Sequence, residues 1–522
     1  MSFVSALFPA FVIAAAAAYY LTPARLRWAV LLAASYVFYL AGGLKTAVFL
    51  VFTTVTTWAA GLALAALNAR RAGTPKEAQA RLRRRKKSVA AAALILNFGM
   101  LFLIKYLDFS AAALAKALGR FGVAWTPRQL GLLLPLGISF FIFQSAGYVI
   151  DQYRGKYAPQ RNLLKYALFT SFFPQMVQGP ISRYDQLAPT LYAGNAPDPE
   201  NLRSGVQRML WGYLKKMVVA DRAAVLVSGF FADPGAYGGA VTAFAIGMYC
   251  IHIYCDFSGG IDIAIGAAEL FGIRLAENFR RPIFAASLAE YWRRWHITLG
   301  AWMRDYVFYP LSLSRPFGAL GKWSRKHIGG KLGKIIPTSL ATFIVYLIIG
   351  LWHGANFRYI AFGFWNGAII TASILLKNVF HTLHERLHVP ADCTPWKVFC
   401  TLRTALIVFI GRYLTRSPRL LTALSLLKRT FDPRTLRLRE LWSGALLRLG
   451  LTGGDLAIVG IGTLILLAVE VWQEYRGPVR PALAKQRGVV QWLAMLLPMA
   501  ALLLLGILRG SYIASEFIYR QY

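Results

Sequence analysis

The stretch Ile335 to Leu351, IIPTSLATFIVYLIIGL, carries no charge and runs directly into Trp352-His353-Gly354. A bilayer core about 30 Å thick is crossed by roughly 20 predominantly apolar residues in a helix, with about 17 to 25 tolerated. The stretch therefore reads as a membrane span that ends on a histidine. Ser2 to Leu21, Val89 to Leu103 and Leu130 to Ile150 are equally free of charge. Over all 522 residues, 57% are apolar and 15% charged, against roughly 45–50% and about 25% in ordinary globular chains. That composition excludes a string of water-soluble domains. The expected fold class is an all-α polytopic membrane protein with eleven or so membrane helices, several of them short or re-entrant.

The 58 basic residues outnumber the 22 acidic ones, a net charge of +36. A nucleic-acid binder would gather such an excess into a compact basic module. Here it falls between apolar blocks, in Arg70 to Lys87, Arg315 to Lys334 and Arg476 to Arg487. Cytoplasmic loops of membrane proteins carry their Lys and Arg in this way, so no nucleic-acid partner is expected. Arg25 and Arg27 follow the first block, Lys45 the second, and Arg83, Arg84, Arg85, Lys86 and Lys87 the third. Alternating sides places the N-terminus outside. At the other end Arg476 to Arg487 reads as cytoplasmic, Val489 to Leu508 as the last span and Arg509 to Tyr522 as an extracytoplasmic tail. The first block has no basic residues ahead of it and reads as a span rather than a cleaved signal peptide. Cys250, Cys255, Cys393 and Cys400 form no CxxC pair, so no metal site is expected and packing is their default role.

Tyr166 to Tyr184 (YALFTSFFPQMVQGPISRY) places Pro174, Gln175, Gln178, Gly179 and Pro180 inside an apolar run. Broken helices at membrane depth are tolerated where protein or a water-filled cavity surrounds them, so this segment is expected to line a funnel. Leu202 to Arg222 alternates apolar residues with Arg203, Arg208, Lys215, Lys216 and Arg222, which suits a helix lying in the cytoplasmic interface.

Ionisable side chains inside a span cost about 2.5–3.5 kcal/mol each on insertion scales, and three places stand out. Tyr249 to Gly266 holds His252, Asp256 and Asp262 beside Gly259 and Gly260. Its carboxylates read either as an ion relay or, the favoured reading, as structural groups paired with a neighbouring helix. In Glu290 to Tyr306 (EYWRRWHITLGAWMRDY), Trp292, Trp295, Leu299, Trp302 and Tyr306 recur at spacings of 3 and 4, one face of a helix. Such a stripe is more often packing than a substrate box, with Arg293, Arg294 and Arg304 near headgroups or an anionic ligand and His296 beside it. The third place is Ile348 to Asn356 (IIGLWHGAN). His327, His381, His384 and His388 lie in basic polar loops, whereas His353 closes a charge-free span. A neutral imidazole can take a proton from a hydroxyl near pH 7.

At these residues the chain resembles a known family. Tyr-Trp-Arg-Arg-Trp-His296, then Trp302-Met-Arg304-Asp305-Tyr306, then Leu351-Trp352-His353-Gly354 is similar to the paired-histidine signature of the membrane-bound O-acyltransferase superfamily, in its bacterial alginate O-acetyltransferase branch. Leu136 to Phe141, Tyr148 to Gly155, Phe172 to Pro180, Tyr254 to Gly259 and Glu277-Asn-Phe279 match in the same order, so the resemblance runs from about Leu130 to Gly367. It implies a ring of tilted helices around a thin centre where two funnels meet. It divides the chain into N-terminal helices with the basic loop 69–88 (1–129), a catalytic core (130–376), C-terminal helices (377–508) and a tail (509–522). It makes His353 the catalytic histidine and His296 a supporting one from the other side of the tunnel. Asn278, Trp292, Trp295, Arg304, Asp305, Trp352 and Asn356 become expected tunnel or support residues. The family often has a Phe-Arg pair near Gly411 to Ser417 (GRYLTRS), and neither Arg412 nor Arg416 is assigned to it.

The terminal Phe517-Ile-Tyr519-Arg-Gln-Tyr522 is similar to the Phe-Ile-Tyr-x-x-Phe ending of acyltransferases that act on extracytoplasmic polymers, departing from it at Tyr522. There the tyrosine is thought to carry the acyl group, a role that falls here on Tyr519; the alternative is an aromatic tail packed at the interface. A phenol with a pKa near 10 is a poor nucleophile at neutral pH and needs a base within reach, which His353 supplies. His296 or Asn278 would orient the donor carbonyl. The resemblance thus implies O-acyl transfer, most simply of acetyl, from a cytoplasmic thioester to an extracytoplasmic polysaccharide. No bound cofactor is expected; the donor is acetyl-CoA, with an acyl-carrier-protein thioester as alternative, drawn by the basic rim. An extracytoplasmic transferase of the SGNH serine-hydrolase type is the expected partner, and the bacterial cytoplasmic membrane the location. D-Alanyl transfer to teichoic acid is the alternative within enzymes. A secondary transporter using Asp256 and Asp262 is the alternative outside them, although the sequence lacks the inverted halves common in transporters.

Overall fold

The computed structural model describes residues 2–70, 75–132, 135–386, 388, 390 and 393–506. The described residues are mostly helical, and the only β pairing among them is a single isolated bridge between Phe279 and Trp295. Among the described residues, seven helices are long and apolar enough to cross a membrane: Ala47–Arg70, Ala78–Lys105, Gly239–Glu269, Leu332–His353, Thr394–Arg416, Gly453–Arg476 and Gly488–Leu505. Any count beyond seven rests on shorter pieces such as Leu7–Leu21. The charge-free run 130–150 is not one helix. Pro135 and a left-handed Gly137 (φ 67°) precede a helix that begins only at Ile138.

The interrupted segment is broken as its prolines and glycine require. Helix Leu163–Ser171 stops, a four-residue turn Phe173–Met176 follows, and the next helix starts at Tyr184. At such a break backbone groups lose their helical partners and must find others. Gln144 and Gln175 both donate their side-chain Nε2 to the Phe169 carbonyl (2.6 and 3.1 Å), and the Ser35 hydroxyl accepts the Phe173 N–H (3.1 Å).

The Gly239–Glu269 helix is the most buried of these seven. Against it runs Pro199–Tyr213, continued by a π-turned stretch Leu214–Ala220 and by Asp221–Ala232. The two backbones touch through reciprocal glycine pairs. A Cβ on Gly205 would lie 2.7 Å from the Gly266 carbonyl oxygen, and one on Gly212 2.6 Å from that of Gly259. Small residues let membrane helices approach this closely, and the approach brings acids and bases together. Lys215 pairs with Asp262 at 2.5 Å, Lys216 with Asp256 at 2.6 Å and Asp221 at 2.8 Å, and Arg208 with Asp262 at 3.0 Å.

These pairs correct one expectation and uphold another. The 202–222 segment does not expose its basic face: Arg208, Lys215, Lys216 and Arg222 are buried. Each faces a carboxylate on another turn or helix, which a one-helix hydropathy reading cannot see. Asp256 and Asp262 take the structural role favoured for them. Removing one partner of a buried pair costs about 3–5 kcal/mol, because it strands the other charge. Lys216→Met is therefore expected to lower the thermal unfolding midpoint of the detergent-solubilised protein sharply. An unchanged midpoint would sink that account.

Candidate active site

The Gly330–His353 helix turns back at Gly354 into Phe357–Leu375, whose first turn is capped by Asn356 Oδ1 accepting the Arg358 N–H at 3.1 Å. Asn356 is thus a capping residue of the turn that carries His353. The hairpin is tight because Gly350 and Gly363 meet across it; a Cβ on Gly350 would lie 2.4 Å from the Tyr359 carbonyl oxygen. The His353 ring sits among Trp352, Phe362 and Tyr359, with centroids 4.9, 6.0 and 6.4 Å away.

His296 arrives on a different kind of support. The aromatic stripe from Trp292 to Tyr306 predicts one continuous helix, and the chain does not form it. Leu288–Arg294 ends, His296 adopts a left-handed backbone (φ 50°), and Ile297–Met303 begins anew. A non-glycine residue in this region is uncommon, and such residues cluster at functional sites. The break is held by pairing with residues 278–280. Ile297 N–H donates to the Asn278 carbonyl (3.0 Å) and Arg280 N–H to the Arg294 carbonyl (2.9 Å), around the Phe279–Trp295 bridge.

Asn278, fully buried, sets the protonation geometry of His296. Its Oδ1 accepts the Thr298 N–H at 3.0 Å and the Thr298 hydroxyl at 2.9 Å, and lies 3.2 Å from His296 Nδ1. The Thr298 amide can only donate, so the atom facing all three is the amide oxygen. His296 must then donate from Nδ1, which leaves the ring's lone pair on Nε2. The Thr298 hydroxyl in turn accepts the Ile181 N–H at 3.1 Å, tying the interrupted segment to the same cluster.

One indole links the two histidines. The Trp352 ring centroid is 5.8 Å from that of His296 and 4.9 Å from that of His353. The opposite side of His296 faces Phe257 at 4.9 Å. Beside His353 lies a cavity of about 20 Å³, bounded by Trp292, Trp295, Tyr359, Phe362, Arg412 and Thr415 among others, which is room for about one water. Trp295 and Arg412 also line a larger, mostly apolar cavity of about 250 Å³ that extends to Tyr254, Phe409 and Glu470. They form the partition between the two.

Arg412, whose place the sequence left undecided, lines the cavity beside His353. Its Nη2 donates to the Tyr291 hydroxyl at 2.6 Å and its guanidinium lies 5.0 Å from the Trp295 ring centroid. Arg416, one turn further on, stacks on Phe231 instead. The signal was an arginine inside the last turns of an apolar span, where charge has a reason to be. Trp292 is anchored by donating Nε1 to Asn366 Oδ1 at 3.0 Å.

Two expected site residues are not brought to the histidines. Arg304 is largely exposed and bonds Asp305 at 2.8 Å; Asp305 also pairs with Arg183; neither lines either cavity. Burial pushes the Asp305 carboxyl up, but its hydrogen bonds from Arg304 and Arg183 outweigh this and hold it below its ordinary value. The pair braces the π-turned Arg304–Phe308 stretch. Tyr519 lies outside the described residues. Among the described residues no group of three or more His, Cys, Asp and Glu side chains is arranged to hold a metal ion.

The family model for "MBOAT, membrane-bound O-acyltransferase family" matches residues 159–391, a range that includes both histidines and most of their supports described above. A probable alginate O-acetylase of Pseudomonas aeruginosa is 31% identical over 463 residues, 88% of this chain and 80% of its own. A peptidoglycan O-acetyltransferase of Helicobacter pylori is 30% identical over 56% of each chain. A teichoic acid D-alanyltransferase of Bacillus subtilis is 25% identical over 45% of this chain and 58% of its own. With its paired histidines meeting at one indole and its likeness to alginate O-acetylases running over most of its length, the chain belongs to the membrane-bound O-acyltransferase family and is a multi-pass membrane O-acyltransferase.

Proposed function

We propose that this O-acyltransferase moves an acetyl group from acetyl-CoA in the cytoplasm to an extracytoplasmic polysaccharide, with Tyr519 as the first acceptor. The observation that carries this reading is the pair of histidines on Trp352, one at the end of a span and one at a kink between two short helices. In the reaction His353 takes the proton of the Tyr519 hydroxyl as the oxygen attacks the thioester carbonyl. The C–S bond breaks, a C–O bond forms, and the thiolate leaves with the proton as free coenzyme A. His296, with its Nδ1 proton held by Asn278, offers Nε2 as an acceptor to an amide N–H of the coenzyme A arm and so positions the donor. The Asn278 Nδ2, buried with no hydrogen-bond partner among the described residues, is the N–H beside it that serves the developing oxyanion. Arg412 holds Trp295 and Tyr291 where the two cavities meet.

The basic segments between spans support a cytoplasmic face for residues 70–87, 315–334 and 476–487, hence an extracytoplasmic tail and a location in the bacterial cytoplasmic membrane. A separate extracytoplasmic serine-hydrolase-like transferase then deacylates Tyr519 and acylates the polymer. Acetyl is favoured over D-alanyl because the likeness to the acetylase covers 88% of the chain and that to the D-alanyltransferase 45%. Asp256 and Asp262 are engaged by Lys216, Lys215 and Arg208, which takes from a transporter reading the ion site it requires. Mass spectrometry of the C-terminal peptide from protein incubated with acetyl-CoA is expected to find an acetyl mass on Tyr519. An alanyl mass on protein isolated from cells would replace acetyl in this reading, and an unmodified tyrosine with polymer acetylation intact would end the relay.

A further inference from the structure

The helix that carries His353 ends partly buried, and its last carbonyls cannot all be paired by its own helix. Gly354 N–H reaches the Leu351 carbonyl at 3.2 Å, and Asn356 N–H goes to the Gly354 carbonyl at 2.9 Å. Neither amide goes to the Trp352 carbonyl. That carbonyl is met from another span: Lys105 Nζ donates to it at 2.7 Å. The neighbouring Tyr106 hydroxyl donates to the Leu351 carbonyl at 3.0 Å. The same ammonium lies 5.8 Å from the Trp352 ring centroid and 5.7 Å from that of Tyr106.

Lys105 closes the last turn of the Lys76–Lys105 helix. The helix carries its other charges toward the opposite end, up to Lys87, and residues 88–104 carry none. A cation in an apolar span is costly, and a cation at a helix C-terminus is favourable because the exposed carbonyls carry partial negative charge. Lys105 satisfies the second condition on the one helix end that holds the histidine turn. It also bonds the carbonyl of the residue whose indole touches both His296 and His353.

We propose that Lys105 and Tyr106 are positioning residues for acyl transfer, clamping the two carbonyls immediately before His353 and so fixing the imidazole and the Trp352 indole against each other. This rests on the reading of His353 as the catalytic base. The charged and titratable groups around that turn come from four other elements: Lys105 and Tyr106, His296, Arg412, and Tyr359 with Arg358 behind it. Of these, Lys105 and Tyr106 are the ones seen to bind the backbone of the turn itself.

The test is steady-state acetyl transfer from acetyl-CoA to polysaccharide in membranes that contain the full chain and its partners, with protein level and thermal unfolding measured in parallel. Misplacing a reacting group by about 1 Å can cost about 10²-fold, so Lys105→Met is expected to lower kcat by about ten- to a hundredfold with KM for acetyl-CoA within about twofold of wild type. Lys105→Arg, which keeps a charged donor, should recover most of the rate, and Tyr106→Phe should lose about threefold to tenfold. Wild-type kcat in Lys105→Met, or equal loss in the methionine and arginine variants, overturns the proposal. If Lys105→Met does not accumulate, Tyr106→Phe decides: an unchanged kcat overturns it. His353→Ala is run beside them. Full activity there refutes the catalytic role of His353, whereas a dead His353→Ala with an unimpaired Lys105→Met refutes only the clamp.

Discussion

His353→Gln is expected to lose acyl transfer to background, by about 10²–10⁴-fold, the range over which general acid–base groups act, while the protein still assembles in the membrane. Glutamine fills much of the same space and can hydrogen-bond, but it cannot take a proton from a hydroxyl. The residue sits in the last helical turn beside Trp352, Tyr359 and Phe362, partly buried rather than at the centre of the core. The helix ahead of it is held by its hairpin partner and by the contacts from Lys105 and Tyr106. Loss of the ring therefore removes chemistry without removing the support of the turn. Acetylated polymer measured in cells lacking the native gene, with the variant's membrane level as control, checks this. Wild-type product from His353→Gln would show that the proton goes elsewhere.

The second large effect is expected at the tail. Tyr519→Phe keeps the ring and removes one oxygen, so a packing role for the aromatic ending survives the change and an acyl carrier does not. Polymer acetylation should fall to background, as with His353→Gln, and thioester cleavage should stop with it. The two variants separate by labelling: the Tyr519→Phe protein carries no acetyl at position 519 under any condition, whereas protein lacking the histidine still accepts acetyl at Tyr519 chemically from a reactive acetyl ester. Full polymer acetylation by Tyr519→Phe would remove the relay and leave the family membership untouched.

Much of this site was legible beforehand because it depends on local pattern. A charge-free run ending in Trp-His-Gly reads as a span with a polar terminus, and two prolines, a glycine and two glutamines packed between Phe172 and Pro180 favour a break in the helix. What escaped the sequence depends on partners remote in the chain. Residues 202–222 looked interfacial because lysines and arginines need water when no acid faces them, and here Asp256, Asp262 and Asp221 do face them. The stripe from Trp292 to Tyr306 has helical spacing throughout and no glycine or proline at its break. The kink at His296 is imposed by pairing with Phe279 and Asn278, which the spacing of the stripe does not encode. Lys105 reads as an ordinary terminal residue of a span because the carbonyl it serves belongs to a residue 247 positions away.

The left-handed backbone at His296 bears on how its side chain is to be interrogated. An L-residue with a Cβ held there costs about 1–2 kcal/mol unless it is of a kind that tolerates the region, as Asn, Asp and His do better than most. Alanine at 296 would delete the imidazole and also unsettle the kink that carries Trp295 toward Arg412. A rate loss in that variant would mix chemistry with geometry. Asparagine is the cleaner control: it accepts the backbone conformation and retains a polar group near Asn278. The difference between the two variants, rather than either alone, measures how far this enzyme depends on a bent chain and how far on a ring nitrogen.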